Sequence, residues 1–342
     1  MNKLKILMVV LMGAVILLIT QQSYNARSKK INQIYSDIFF TRLAVETKQY
    51  TRQIEYGIKN GKTLDNFYNI QSILSDVRKC SSYIKGMYII SKDSMIMYSI
   101  SDDESRTPQR AKLPNDGSLY SVDANGDSYI MAVPIYDRTN EAAGYMLLDL
   151  AEEAVTNSVA DIHRDNLTQS IMVSVLTFLA GTVFIIHMCR RKETVLVDCA
   201  RTMSVTVCAG MFIDSAISAV KLKLTLDNLI QHSVSKIVMS LQNTLNEVTE
   251  KGVAISRIYD LNSWLVQSCQ PIPFLDNLIY DKGYRISAIV NNSYAMRSAA
   301  GYILLGAEII GICAAAFLAV SVAFVFVDKL NNKPKQVSLN TV

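Results

Sequence analysis

Four stretches of the chain are apolar over lengths approaching a bilayer's thickness. Leu4–Thr20 is broken only by Lys5, Thr202–Val220 only by Asp214, and Ile171–Ile186 and Ile309–Val327 carry no charge. A helix needs about 20 such residues to cross a hydrocarbon core, so the pattern predicts membrane-spanning helices at 1–21, 169–188, 203–220 and 308–328. The first follows two lysines, as a secretory signal would, but Thr20-Gln21-Gln22 offers no small-residue cleavage site, so an uncleaved anchor is expected. Lys3, Lys5, Arg190, Arg191, Lys192, Arg201, Lys329, Lys333 and Lys335 then fall on one side, which predicts a cytoplasmic linker at 189–202 and tail at 329–342. Segments 22–168 and 221–307 are left outside. Arg27, Lys29, Lys30, Lys221 and Lys223 sit on the disfavoured side, which long translocated segments tolerate.

Between the apolar stretches the period changes. Ile31, Ile34, Ile38, Ile54 and Ile58 make a patchy helical stripe, and so do Ile217, Val220, Leu224, Ile230, Val234, Ile237, Leu241, Leu245 and Val248. "GMYIISKDSMIMYSI" reads as two strands around Lys92-Asp93-Ser94. "LYSVDANGDSYIMAVPIYD" reads as two more around Asn125-Gly126, a strong hairpin signal, and "AAGYMLLDL" as a fifth. "EEAVTNSVADIHRDN" predicts a helix running into the second span. The expected fold class is α+β: an antiparallel sheet behind a long N-terminal helix.

The chain is written twice. "NGKTLDNFYNIQSIL" from Asn60 aligns without a gap on "KGVAISRIYDLNSWL" from Lys251, an offset of 191, and the same offset lays the first span on the third. It puts Asp214 opposite Ser23, at the outer membrane interface, where a charge costs less than at the centre. "IISKDSMIMYS" then matches "LIYDKGYRISA" at 189, and "AAGY" at Ala142 matches "AAGY" at Ala299 at 157. The second copy is thus expected as a degenerate α+β module that has lost one hairpin and ends on a strand, "AAGYILLG", with the fourth span starting at Ile309. Its Trp264 is expected in a core.

A span feeding a long helix, then "YIKGMYIISKDSMIMYS", "DGSLYSVDANGDSYIMAVPIYD" and "AAGYMLLDL", resembles a Cache domain, a PAS-like extracytoplasmic sensor module of bacterial receptors, over roughly residues 27–165. The resemblance implies a bacterial cytoplasmic membrane, a PAS-like sheet, and a small-molecule pocket between the sheet and the loops over it. Asp137, in "PIYD", stands where amino-acid-binding members place an acid for the ligand amine, although their Arg-x-Trp-Tyr element is absent. Arg106 and Arg110 could clamp a ligand carboxylate bidentately, and Tyr98, Tyr120 and Tyr129 could line its wall. The competing readings are solvated loop charge, a turn residue and ordinary sheet packing. The oxygens of "DANGD" suggest calcium, but the glycine comes too early for an EF-hand loop, so a hairpin turn is expected.

Composition narrows the chemistry. The chain has 342 residues, 50% of them hydrophobic and 19% charged, and its net charge of +4 is read as membrane anchoring, not nucleic-acid binding. No Cys or His spacing suggests a metal, no cofactor is expected, and Cys80 and Cys269 are expected unpaired. No catalytic constellation or phosphate-cradling loop is visible, so no enzyme is expected. Partners are expected to be a small ligand, the membrane and a separate membrane or cytoplasmic signalling protein, with a homodimer open. Gly311, Ala315, Ala319 and Ala323 recur every four residues as a helix-packing ridge, and Glu308 is expected at the membrane's outer edge. Three readings remain: a sensor subunit, a ligand-free scaffold of an envelope complex, and a receptor lacking its catalytic half.

Overall fold

The structure is a computed structural model. It describes residues 2–101, 113–114, 118–125, 128–190, 196–250, 272–281 and 285–301, together with 261, 265–266, 268, 303–304, 306–308 and 311. Helix α1 (Asn2–Lys59) precedes a short 3-10 turn (Leu64–Asn66) and α2 (Ile70–Lys79). Strands β1 (Ile84–Ser91), β2 (Ile96–Ser101), β3 (Ser121–Asn125), β4 (Ser128–Tyr136) and β5 (Ala142–Ala151) follow. Then come α3 (Glu153–Arg190), α4 (Leu196–Glu250), β6 (Leu275–Asp281) and β7 (Arg285–Val290). The fold is α+β, as expected. Contacts divide it into two units. One holds Met1–Lys30, Ile162–Lys223 and Ser298–Val342, and the other Ile31–Asp161 and Leu224–Arg297.

In the second of these units, β1 to β5 form one antiparallel sheet in the order β2-β1-β5-β4-β3. Both predicted hairpins are present, and the "AAGYMLLDL" strand lies between them, pairing Met87 with Leu148 on one side and Met131 with Leu148 on the other. One face of the sheet, with Met87, Ile89, Met131, Val133, Met146 and Leu148, packs on Phe40, Leu43 and Ile54 of α1 and on Ile70, Leu74 and Val77 of α2. Ile31, Ile34, Ile38 and Ile54 of the predicted stripe are buried. α1 stops where Gly61, at φ 91°, turns the chain left-handed, and the Lys62 N–H closes onto the Gly57 carbonyl at 3.1 Å.

Also in this unit, α1 carries polar groups against α4 and its surroundings. Ser240 and Thr244 hydroxyls donate to Gln49 Oε1 at 2.8 and 3.2 Å. Glu46 is buried, and burial raises its carboxyl pKa against the opposing pull of Arg42 and Lys236. Glu46→Gln is therefore expected to leave stability unchanged or raise it by up to roughly 1 kcal/mol at pH 7. The folded pKa lies above the ordinary 4.5, so the folded state holds this proton more tightly. Wild type should accordingly gain on the variant as pH falls through the raised value toward 4.5. Denaturant titrations of both chains at pH 7 and pH 5 check this.

The second copy departs from expectation at its end. β6 and β7 form a separate two-stranded sheet, matching the first hairpin of the first copy. "AAGYILLG", expected as a strand, is helical: residues 292–301, 303–304 and 306–308 are in helix. The cause is local. Asn291 accepts the Ser293 N–H on its side chain at 3.0 Å, a cap that starts a helix directly after β7, and Ala295, Ala299 and Ala300 sustain it. Trp264 and Cys269 lie outside the described residues, and Cys80 is a free thiol.

In the other unit the apolar stripe inverts. Ile217 and Val220 of α4 are exposed, while Ser215, Ser218, Ala219 and Leu222 are buried. Leu17, Leu18, Leu176, Leu179, Val183 and Phe212 also point outward. Small and polar groups inside with apolar groups outside is the arrangement suited to hydrocarbon surroundings, where apolar side chains gain nothing by turning inward. Among the described residues, two helices are long and apolar enough to cross a membrane, Val159–His187 and Ser204–Glu250, in place of the four expected. Of the others, 1–21 lies on α1, with several side chains outside the described residues. Most of 308–328 lies outside them as well, including Ala315, Ala319 and Ala323; Gly311 and Glu308 are helical and exposed.

Candidate functional site

Within the sheet-bearing unit, the face turned away from α1 carries Tyr88, Ile90, Ile130, Ala132 and Leu147, with Leu113 and Tyr145 packed against them. Strand alternation places Asp149 on this same face, two residues beyond Leu147 and paired with Gly86 of β1 and Ile130 of β4. Asp149 is 7% exposed. Gly86 lies opposite Ser101 of β2, and a Cβ built on it would stand 3.0 Å from the Tyr88 hydroxyl and 3.2 Å from the Ser101 hydroxyl. The absent side chain leaves room for these two hydroxyls, on the sheet face that also carries Asp149. Asp149 is not among the predicted site residues. Its signal was a single charge inside "MLLDLA", a strand apolar on both faces.

The predicted wall residues sit elsewhere. Tyr98 lies on edge strand β2 and packs toward α1 and α2; its hydroxyl donates to the Asp65 carbonyl at 2.9 Å and accepts the Phe67 N–H at 3.3 Å. Tyr120, just before β3, and Tyr129 of β4 pack against the same α1-facing core. The Tyr120 hydroxyl bonds to Thr41 of α1 at 3.1 Å, with burial pushing its pKa up, and the Tyr129 ring meets Phe40 edge-on. Asp137 occupies the β4–β5 turn, where Oδ1 accepts the Thr139 hydroxyl at 2.7 Å and the N–H groups of Thr139 and Glu141 at 2.8 and 3.1 Å. The Thr139 hydroxyl bond, foremost, holds its carboxyl below the ordinary range. Of the four described members, the three tyrosines thus pack on one core and Asp137 organises a turn. Arg106 and Arg110 lie outside the described residues, as do Gly126 and Asp127 of the "DANGD" turn.

The other unit holds a second polar constellation, among α1, α3 and α4. Arg27 forms an ion pair with Asp214, and both side chains are nearly buried, at 4% and 12% exposure. The guanidinium also donates to the Ser215 hydroxyl at 2.6 Å and the Ser218 hydroxyl at 3.3 Å. From α3, the Gln169 amide reaches Ser218 at 3.0 Å, and Ser170 donates to Asp214 at 3.4 Å. One turn along, Thr20 and Ser174 share a 2.6 Å hydrogen bond. A cavity of about 30 Å³ opens beside the pair, lined by Thr20, Ser23, Ser174, Thr177 and Met211 among others, which is room and polarity enough for water. Asp214, expected at the outer membrane interface, is a buried partner of Arg27. Among the described residues no group of three or more His, Cys, Asp or Glu side chains is placed to hold a metal ion.

No protein-family model matches the chain, and no curated protein sequence matches it.

Proposed function

We propose that the chain is a multi-pass membrane sensor subunit that binds a small molecule through a Cache-like, PAS-like domain outside the cell and signals to a separate protein through its membrane helices. The observation that carries the reading is how the five-stranded sheet is tethered. α1 runs unbroken from Asn2 to Lys59 before the sheet, and α3 runs unbroken from Glu153 to Arg190, beginning two residues after β5. Entry and exit are continuous helices that include long apolar stretches, so a strain at either end of the sheet has a stiff element to act on. The ligand would lie on the sheet face bearing Asp149, Tyr88 and Ser101, with Arg106 and Arg110 as the proposed clamp for a carboxylate.

The experiment is a metabolite screen against the full chain in lipid nanodiscs. A ligand at a hundredfold excess over its dissociation constant should stabilise the chain by about 2.7 kcal/mol, read as a rise in melting temperature. Asp149→Asn should shrink that rise without changing the melting temperature of the ligand-free chain by a similar amount. A broad screen with no shift would overturn the sensor reading. It would leave the ligand-free scaffold, which one observation favours: Tyr98, Tyr120 and Tyr129 are engaged in holding helices to the sheet.

A further inference from the structure

Contacts between α1 and α4 recur at the separation by which the two copies are written. In one unit, Arg27 touches Ser218, 191 residues on, and Ile16 shares an apolar cluster with Val207, at the same offset. In the other unit, Gln49 bonds to Ser240, again 191 residues on. In that same unit, Leu43 and Val234, and Ile54 and Leu245, are equivalent by this offset and are all buried. Helices whose equivalent positions meet run parallel and in register about a local pseudo-two-fold axis. Each copy therefore shows its counterpart the face it would show to a second α1 or a second α4.

Such a surface needs something to choose among three pairings. The offset makes Ser218 the counterpart of Arg27 and Ser23 the counterpart of Asp214. One copy thus carries serine and arginine at these two positions, and the other carries aspartate and serine. When α1 meets α4, a buried cation meets a buried anion. An α1–α1 pair would press two copies of Arg27 together, and an α4–α4 pair two copies of Asp214. Buried like charges oppose association, as polar core positions and flanking charges do in coiled coils.

We propose that Arg27 and Asp214 form a pairing code that commits α1 to α4 of the same chain and bars a second copy from that surface. The protein is then its own dimer mate, with one complete sheet per helix pair. The proposal does not depend on the sensor reading.

Thiol crosslinking of the full chain in native membranes tests it, with the native cysteines replaced by serine. Ile16→Cys with Val207→Cys should crosslink within one chain, and Ile16→Cys alone should give no crosslinked dimer. Asp214→Arg should reduce the intrachain product at least tenfold, and adding Arg27→Asp should restore it. Gln49→Cys with Ser240→Cys reports whether the sheet-bearing unit is intact in each variant. Interchain dimers from Ile16→Cys alone in amounts matching the intrachain product would overturn the proposal. So would a charge-swapped chain that keeps the 49–240 crosslink and lacks the 16–207 crosslink. If Asp214→Arg fails to accumulate, the charge-swapped chain decides alone by the same criterion.

Discussion

Asp214→Ala is expected to destabilise the helical unit by roughly 3–5 kcal/mol. The carboxylate meets three partners from two helices: Arg27 of α1, and Gln169 and Ser170 of α3. Removing it strands a guanidinium that is only 4% exposed. Breaking a buried pair from one side costs that much because the surviving charge keeps its desolvation penalty and loses its compensation. The adjacent cavity admits water, which should hold the loss near the lower end of the range. Replacing both members with apolar residues of similar volume, Arg27→Met with Asp214→Leu, should recover most of the stability, since no unpaired charge remains. Ser215 and Ser218 can turn their hydroxyls to carbonyls of the preceding helical turn. Denaturant titration in mixed micelles separates the outcomes: a double variant as unstable as Asp214→Ala would mean that the pair's worth lies in its hydrogen bonds rather than its charge.

The double variant also separates stability from pairing. It should fold, yet it lacks the charges that discriminate α4 from a second α1. Its expected defect is interchain association, which Arg27 and Asp214 would otherwise prevent at a cost in desolvation.

Much of this was legible from periodicity. Strand alternation and the turn residues Lys92-Asp93-Ser94 and Asn125-Gly126 placed both hairpins, and the 191-residue offset marked α1 and α4 as copies without showing that their equivalent positions meet. The misreadings share a physical origin: a local pattern does not reveal what surrounds it. "AAGY" forms a strand at Ala142 because β1 and β4 flank it, and a helix at Ala299 because Asn291 caps the segment behind a two-stranded sheet. The α4 stripe begins with Ile217, Val220 and Leu224 facing outward, an arrangement suited to hydrocarbon surroundings, while its later members Ile230, Val234, Ile237, Leu241 and Leu245 are buried. Arg27 counted only as a positive charge on the disfavoured side of the membrane. Its role depends on Asp214, 187 residues away, which no window around either residue contains. Tyr98 and Tyr129 were legible as sheet residues, but which face they take follows from register.

Glu55→Ala is expected to cost the sheet-bearing unit about 3 kcal/mol, for a different reason. β3 pairs with β4 only as far as Ala132, so the backbone of Pro134 and Tyr136 continues past the end of its neighbouring strand. α1 supplies what the missing strand would. Lys48 Nζ donates to the Pro134 carbonyl at 2.8 Å, and Glu55 Oε1 accepts the Tyr136 N–H at 3.0 Å. The two side chains bond to each other at 2.6 Å, two helical turns apart on one face of α1. Removing Glu55 takes an acceptor from the strand and leaves the Lys48 ammonium without its counter-ion at 14% exposure. Here an apolar double replacement should recover little, because the strand's own backbone groups would lose their partners. The pH dependence distinguishes this account. Burial lowers the Lys48 pKa below its ordinary 10.5, and Glu55 pulls it back up. Between the lowered folded value and 10.5 the unfolded chain binds more protons, so this group's contribution to stability rises with pH. Without Glu55 the folded value falls further and the window widens downward. Glu55→Gln should therefore be most destabilised near pH 7 and close part of its gap to wild type by pH 9.5. A gap that stays constant across that range would place the loss in the Tyr136 hydrogen bond alone.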